Sequence, residues 1–361
     1  DPAKPLSIVC TARPGPSSGS IVRATCPAGF TSTRRRLTTT GIERLLGYLV
    51  SARDEREFAA EIAALRDLRD ILEQLGNSTA DASPKMRVVW RDGTPFDLSR
   101  LRQHMATVPF DIRMTSRRDA NLRRSQAALV DDDLRAAEGL LASWAYYARE
   151  RLSQQDALFN ADLIVPPHLP GVVVLDATSR QNMLWTLMQP RAVRVEVAAG
   201  TRLYDRVTLH VARTGSGLGK GAMREHGRLR VNRLVEALAQ EKPGASALVV
   251  LHKTPGDYAS TLAPHGLGRY GVATYGAIDG KNDWHDYNTV AILGMFNRPD
   301  TWSRNAFMAL QGVQSDEWLN EPSAWREFAD VRREMERRQL TLSIVQAMNR
   351  VRCRRVVDAD G

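Results

Sequence analysis

Two short, unbroken apolar runs frame the most informative stretch of the chain. Ala247–Leu251 and Thr289–Leu293 are too short and too β-branched for a core helix, and they do not alternate with polar positions. That pattern predicts two parallel strands buried on both faces. Between them the chain becomes polar and glycine-punctuated: GAIDGKNDWHDY sets Asp279, Lys281, Asn282, Asp283, His285 and Asp286 around Gly276 and Gly280. Open α/β sheets place ligand chemistry at the carboxyl ends of their strands, so this segment reads as a working loop.

Upstream the period changes. Leu45, Leu46, Tyr48 and Leu49, then Phe58, Ile62, Leu65, Leu68, Ile71 and Leu72, recur at helical spacing from Gly41 until Gly76 and Asn77 stop them. A short strand is expected at Met86–Trp90, a short helix with an N-cap-like aspartate at Asp97–Met105, and a second long helix at Asp131–Leu158. Three aspartates at the start of that helix suit the positive end of its dipole. Trp144, Tyr146 and Tyr147 read as core between helices, with base stacking as the alternative. Residues 1–40 are rich in Pro, Gly, Ser and Thr and read as loop or the remnant of a preceding domain.

After the prolines near 160–170, strand and helix alternate. Strands are expected at Val172–Leu175, Val193–Val197 and Val207–Val211, and helices at Gln181–Met188 and Met223–Gln240. Beyond the opening stretch come helices at Trp302–Leu310 and Pro322–Gln339, a helical turn at Ser343–Asn349 and a last strand at Arg355–Val357. Alternation of this kind predicts an α/β fold with a mostly parallel sheet covered on both faces by helices.

The 361 residues give room for two domains, and 43% hydrophobic with 25% charged residues is a globular composition. The net charge of +9, mostly from arginine, favours a polyanionic partner; an arginine-rich surface of no functional meaning is the alternative. Three cysteines, Cys10, Cys26 and Cys353, form neither a disulfide framework nor a metal pair, and the seven histidines lack ligand spacing, so no structural metal is expected. No apolar run reaches the roughly 18 residues of a membrane helix and no signal-like segment opens the chain, which reads as cytoplasmic. The start at Asp1 and the stop at RRVVDADG suggest a piece of a larger protein.

Tyr275, Gly276, Gly280, Asn282, Trp284 and Asp286, followed by TVAILG, resemble the fifth motif of superfamily 2 helicases, most closely the DinG-like and XPD-like branch with its phage- and plasmid-borne relatives. VVVLDATSR (172–180) is similar to the third motif of that family and IVQAMNRVR (344–352) to the sixth, in the family's order. The resemblance covers residues 172–361 and implies a RecA-like second motor domain at 171–361, preceded by a helical insertion at 41–160.

It further implies ATP and Mg²⁺ as cofactors, both bound mainly by a first motor domain of the same polypeptide, and single-stranded DNA as partner, with RNA not excluded. By the same match Arg350 and Arg352 are arginine fingers, and Gly280, Asn282 and Gln346 bind nucleotide. Lys253, Thr254, Tyr275, Gly276, Asp176 and Thr178 would contact nucleic acid. Asn349 stands where many relatives have glycine, and Cys353 where the XPD-type second arginine falls, which leaves the second finger open between Arg352 and Arg354. The four cysteines of an XPD-type iron–sulfur cluster are missing, so none is expected.

The competing reading of the last helix is an arginine-rich surface end, and that of Asp176–Thr178 an ordinary helix cap. TGSGLGKGA (214–222) imitates a phosphate loop but has Thr214 where the first glycine belongs and Gly221 in place of the hydroxyl residue that would reach Mg²⁺. It reads as a flexible loop before a helix. The motor reading requires the Tyr275–Asp286 turn and the Gln346–Arg352 segment to leave one edge of one sheet and face a shared cleft. Its rival is a basic nucleic-acid-binding module of a replication or mobilisation protein, with no catalytic role.

Overall fold

A computed structural model describes residues 8–9, 33–49, 52–78, 86–107, 120–150, 154–163, 173–174, 178–189, 191–195, 207–211, 218–252, 266–278, 281–295 and 298–351. Along the chain the elements are β1 (Ile8–Val9), β2 (Thr33–Thr38), α1 (Thr39–Tyr48), α2 (Ala52–Glu57), α3 (Ala59–Ser78), β3 (Met86–Trp90), α4 (Ser99–Thr107) and α5 (Ala120–Ala142). They continue with β4 (Ala145–Arg149), β5 (Asp156–Asp162), β6 (Val173–Val174), α6 (Met183–Leu187), α7 (Lys220–Glu241), β7 (Ser246–Leu251), β8 (Arg269–Thr274) and β9 (Thr289–Leu293). The last three are α8 (Thr301–Gln311), α9 (Asp316–Asn320) and α10 (Val331–Met348).

The fold is mixed α/β and divides into two compact units. One comprises residues 31–164 and 300–332; the other comprises 1–30, 165–299 and 333–361. The segment 300–332 thus groups with the earlier region rather than with the 171–361 stretch that the resemblance treats as one domain.

In the first unit, β2-β5-β4-β3 form an antiparallel sheet. Tyr147 and Leu158 face a core shared with Leu45 of α1, Leu65 of α3 and Leu140 of α5, while Tyr146 and Phe159 face Met308 of α8 and Leu319 of α9. Alternate residues therefore supply two cores, as the period of a strand demands. Here one expectation is corrected. The helix expected at Asp131–Leu158 ends at Ala142, and 145–162 is a hairpin, so residues 41–160 hold β3, β4 and most of β5 beside the helices α1 to α5. Both faces of the hairpin are covered, so its pattern shows no polar alternation, and its bend uses Gln154 at φ +54 instead of a glycine.

Asp131–Asp133 fall within α5 and not at its start; Asp133 accepts from Arg44 Nε at 2.8 Å and Asp131 pairs with Arg135. Tyr146 and Tyr147 are fully buried, in agreement with the core reading. Residues 1–40 are not all loop: β2 pairs along its whole length with β5. The Met86–Trp90 strand and the helix after Asp97 appear as expected, with Asp97 accepting from Ser99 N at 2.9 Å. Gly76 and Asn77 do not stop α3, which runs on to Ser78.

In the second unit, β8-β7-β9 form a parallel three-stranded sheet. β7 is buried throughout and its side chains divide by parity. Ala247, Val249 and Leu251 pack with Met223, Val231 and Val235 of α7; Leu248 and Val250 pack with Ala347 of α10 and with Val351. A helix on each face explains the unbroken apolar run. The strand at 172–175 is seen as β6, but it pairs antiparallel with β1 and not with this sheet.

Residues 193–195 and 207–211 are not strands, and Val193, Val195, Leu209 and Val211 are exposed. The helix expected at Pro322–Gln339 begins instead at Val331 and continues through the turn read separately at Ser343–Asn349. Its start is set by Asp330, whose Oδ1 accepts from Arg332 N at 3.2 Å, while 325–328 form a tight turn. Arg355–Val357 lies outside the described residues.

Candidate functional site

The carboxyl ends of the three parallel strands carry His252 after β7, Tyr275 and Gly276 after β8, and Gly294 after β9. Tyr275 N donates to Leu251 O at 3.2 Å and its hydroxyl donates to Gly294 O at 3.0 Å, which ties all three strand ends together. Burial pushes the Tyr275 phenol up to about 12, so it remains a neutral donor. The His252 ring lies 6.2 Å from that of Tyr275. Gly294 has φ +86, and a Cβ there would come within 2.8 Å of the His252 ring and 2.9 Å of Leu218 O.

Leu218 immediately precedes Gly219, the N-cap of α7, so the helix start adjoins the end of β9. That start carries no acidic residue in its first turn and no side-chain cap. The phosphate-loop imitation therefore ends where a helix begins, as the sequence suggests; residues 212–217 lie outside the described residues.

From Tyr275 the loop runs along the face that α10 covers. Ile278, Trp284 and Tyr287 pack with Leu248, Val250, Ala347 and Val351. Trp284 sits so close to β8 that a Cβ on Gly271 would lie 2.9 Å from its indole nitrogen. The loop closes at the opposite end of the sheet. Asp286 pairs with Arg269, the first residue of β8, at 2.7 Å, and Asn288 exchanges hydrogen bonds with Ser246, the first residue of β7. The Arg269 guanidinium holds the Asp286 carboxyl below its usual range.

Arg350, just past α10, donates from Nη1 to Lys281 O at 3.1 Å. The turn and the last helix thus meet, but over the sheet face. The expectation of a single shared edge is corrected: Tyr275 stands at the carboxyl ends and Asp286 at the amino ends, because the loop must cross β7 to reach β9.

Of the residues that the resemblance implicates, Tyr275, Gly276, Asn282, Gln346 and Arg350 belong to this one assembly. Gly276 is exposed at φ +82, Asn282 O accepts from His285 N at 3.2 Å, and Gln346 lies one turn before Arg350. Thr178 is buried in the turn before α6, where its carbonyl accepts from Gln181 and Asn182. Asp176, Lys253, Thr254, Gly280 and Arg352 lie outside the described residues. Among the described residues no group of three or more His, Cys, Asp or Glu could hold a metal, and no helix is long and apolar enough to cross a membrane.

No family model, curated protein or solved structure matches this chain.

A concavity of about 920 Å³ lies within the antiparallel unit between β2 and α5. Its arginines are engaged: Arg35 with Asp162, Arg36 with Glu150, Arg102 with Glu138 and Arg135 with Asp131. With Asp132 and the carboxyl end of α5 also in its wall, it offers little net charge to an anion.

Two features of the first site escape sequence reading. Gly294 is visible only as the end of an apolar run, although its positive φ is what lets His252 and Leu218 close around it. Arg269, the anchor of the loop, has no signal beyond an arginine ahead of a short apolar stretch.

Proposed function

We propose that residues 171–361 act as the RecA-like second motor domain of a cytoplasmic superfamily 2 DNA helicase or translocase, working with ATP, Mg²⁺ and single-stranded DNA. The 275–286 turn does not leave one sheet edge as a whole, and the observation that supports this reading is the narrower one: the junction of Arg350, past the end of α10, with that turn at the Lys281 carbonyl. It holds a guanidinium at the end of a helix, beside a polar loop of a parallel sheet, on a bond weak enough to exchange for a phosphate oxygen. In this reading a first motor domain holds ATP and Mg²⁺, and domain closure draws Arg350 off the carbonyl onto the γ-phosphate, where it stabilises the charge of the transition state.

The test uses the polypeptide that carries both motor domains. Arg350→Ala is expected to lower DNA-stimulated ATP hydrolysis by about 10³-fold or more while ATP binding persists. Unchanged hydrolysis rejects the assignment.

A second reading, a basic binding module without a motor, draws on α7. Arg224, Arg228 and Arg233 are exposed there, and no described acidic residue pairs with them. It predicts salt-sensitive DNA binding that neither ATP nor the Arg350 change alters.

A further inference from the structure

The turn 325–328 in the antiparallel unit joins two aromatic rings through a strained arginine. Trp325 N donates to Phe328 O at 2.9 Å and Phe328 N to Trp325 O at 3.0 Å, which makes a hairpin with Arg326 and Glu327 at its tip. Arg326 has φ +52, left-handed backbone that glycine holds without strain and a long side chain does not. Backbone of this kind persists where surrounding contacts hold it, and it clusters at ligand sites.

Its result is visible in the side chains. The Arg326 guanidinium lies 4.3 Å above the Trp325 ring, and the Trp325 and Phe328 rings are 6.4 Å apart with their planes within 5°. Phe307 meets Trp325 edge-on at 6.1 Å.

A neighbouring pair shows what a structural arginine looks like here. Arg332 covers Trp318 at 5.1 Å, but it is buried and its guanidinium donates to the Leu319 and Glu321 carbonyls. Arg326 is exposed, and among the described residues its guanidinium has no carboxylate or carbonyl acceptor. Parallel rings beside a guanidinium that meets a ring but no hydrogen-bond acceptor are what an unpaired nucleobase stacks on, and a flanking phosphate supplies the acceptor that Arg326 lacks.

We infer that Trp325, Phe328 and Arg326 form a stacking platform for a base of single-stranded nucleic acid. The inference rests on the nucleic-acid part of the proposed function and extends it to a turn that none of the three motif-like segments contains. The chain's charge of +9 favours that partner over an apolar peptide, while Glu327 beside Arg326 keeps the tip nearly neutral. Stacking therefore outweighs charge at this point, and the site is tolerant of sequence.

Binding of a dye-labelled oligo-dT by the full chain, followed by anisotropy, tests the platform together with thermal unfolding of each variant. Trp325→Ala is expected to weaken binding roughly five- to hundred-fold and Trp325→Phe much less. Arg326→Gly is expected to weaken binding several-fold while raising the melting temperature, since glycine relieves the backbone. Opposite signs for affinity and stability mark a residue kept for its ligand; a gain in stability with unchanged affinity overturns the inference. If Trp325→Ala does not fold, Trp325→Phe and Arg326→Gly decide. Should the unaltered chain bind oligo-dT and every variant equal it, the platform falls while the motor reading stands; should the unaltered chain not bind, both fall.

Discussion

The two larger sheets of this molecule bury similar side chains but leave very different ends. In the parallel sheet β7, β8 and β9 all point the same way, so His252, Tyr275 and Gly294 collect at one edge, where loops of unlike sequence meet. In the antiparallel sheet neighbouring strands reverse, both faces are packed with helices, and the open side of β3 is closed by side chains. Asn320 bonds both Met86 N and Met86 O, and Asp316 accepts from Val88 N. Strand direction alone therefore distinguishes a framework that can gather polar loops from one that serves as scaffold.

That contrast can be tested by substitution, with amide exchange reporting on each sheet separately. Leu65 is fully buried in the core under the antiparallel sheet, and Leu65→Ala is expected to cost about 2–5 kcal/mol there, read as faster exchange in β4 and β5. Exchange in β7 should be affected far less. Gly294→Ala reverses the pattern. A methyl group at φ +86 would press on His252 and Leu218, so the parallel sheet should lose about 1–3 kcal/mol while β4 and β5 hold.

Tyr275→Phe removes the bond to Gly294 O and is expected to cost about 1 kcal/mol. The phenol adds a pH signature. Its pKa is raised in the fold from 10.0 to about 12, so its contribution is complete below pH 10 and is lost as pH rises toward 12. Alkaline unfolding curves of the unaltered chain and the Phe variant should converge over that window.

The smallest effect belongs to Glu334, held at about 2 by hydrogen bonds from Arg337 and then Arg338. A depressed carboxyl stabilises above its unfolded value and loses that contribution as pH falls from 4.5 toward 2. Arg337 is largely exposed, so water screens the pair, and Glu334→Gln should flatten the acid limb by no more than about 1 kcal/mol.

How much of this was legible depends on burial geometry. β7 and β9 announce themselves because two covered faces demand continuous apolar sequence. β8 does not, since RYGVAT contains a glycine needed only because Trp284 lies against it. The 145–162 hairpin resembles a helix because AYYAR and DALFNAD hide both faces and bend at a glutamine. The joining of Arg350 to the 275–286 loop follows from the resemblance, whereas the path of that loop across β7 does not, because it depends on Arg269 and Ser246 holding its far end. Arg326 carries no sequence signal at all, since a left-handed arginine looks like any other arginine until the backbone is seen.

The closing of β3 by Asp316 and Asn320 sets an order on synthesis. Those two residues leave the ribosome after the whole of 165–299, so a nascent chain carries an unsealed strand and an uncovered Tyr146–Phe159 surface for on the order of ten seconds at ~5–20 residues per second. A chain ended before Asp316 would keep that strand unsealed for good, and it should self-associate through β3.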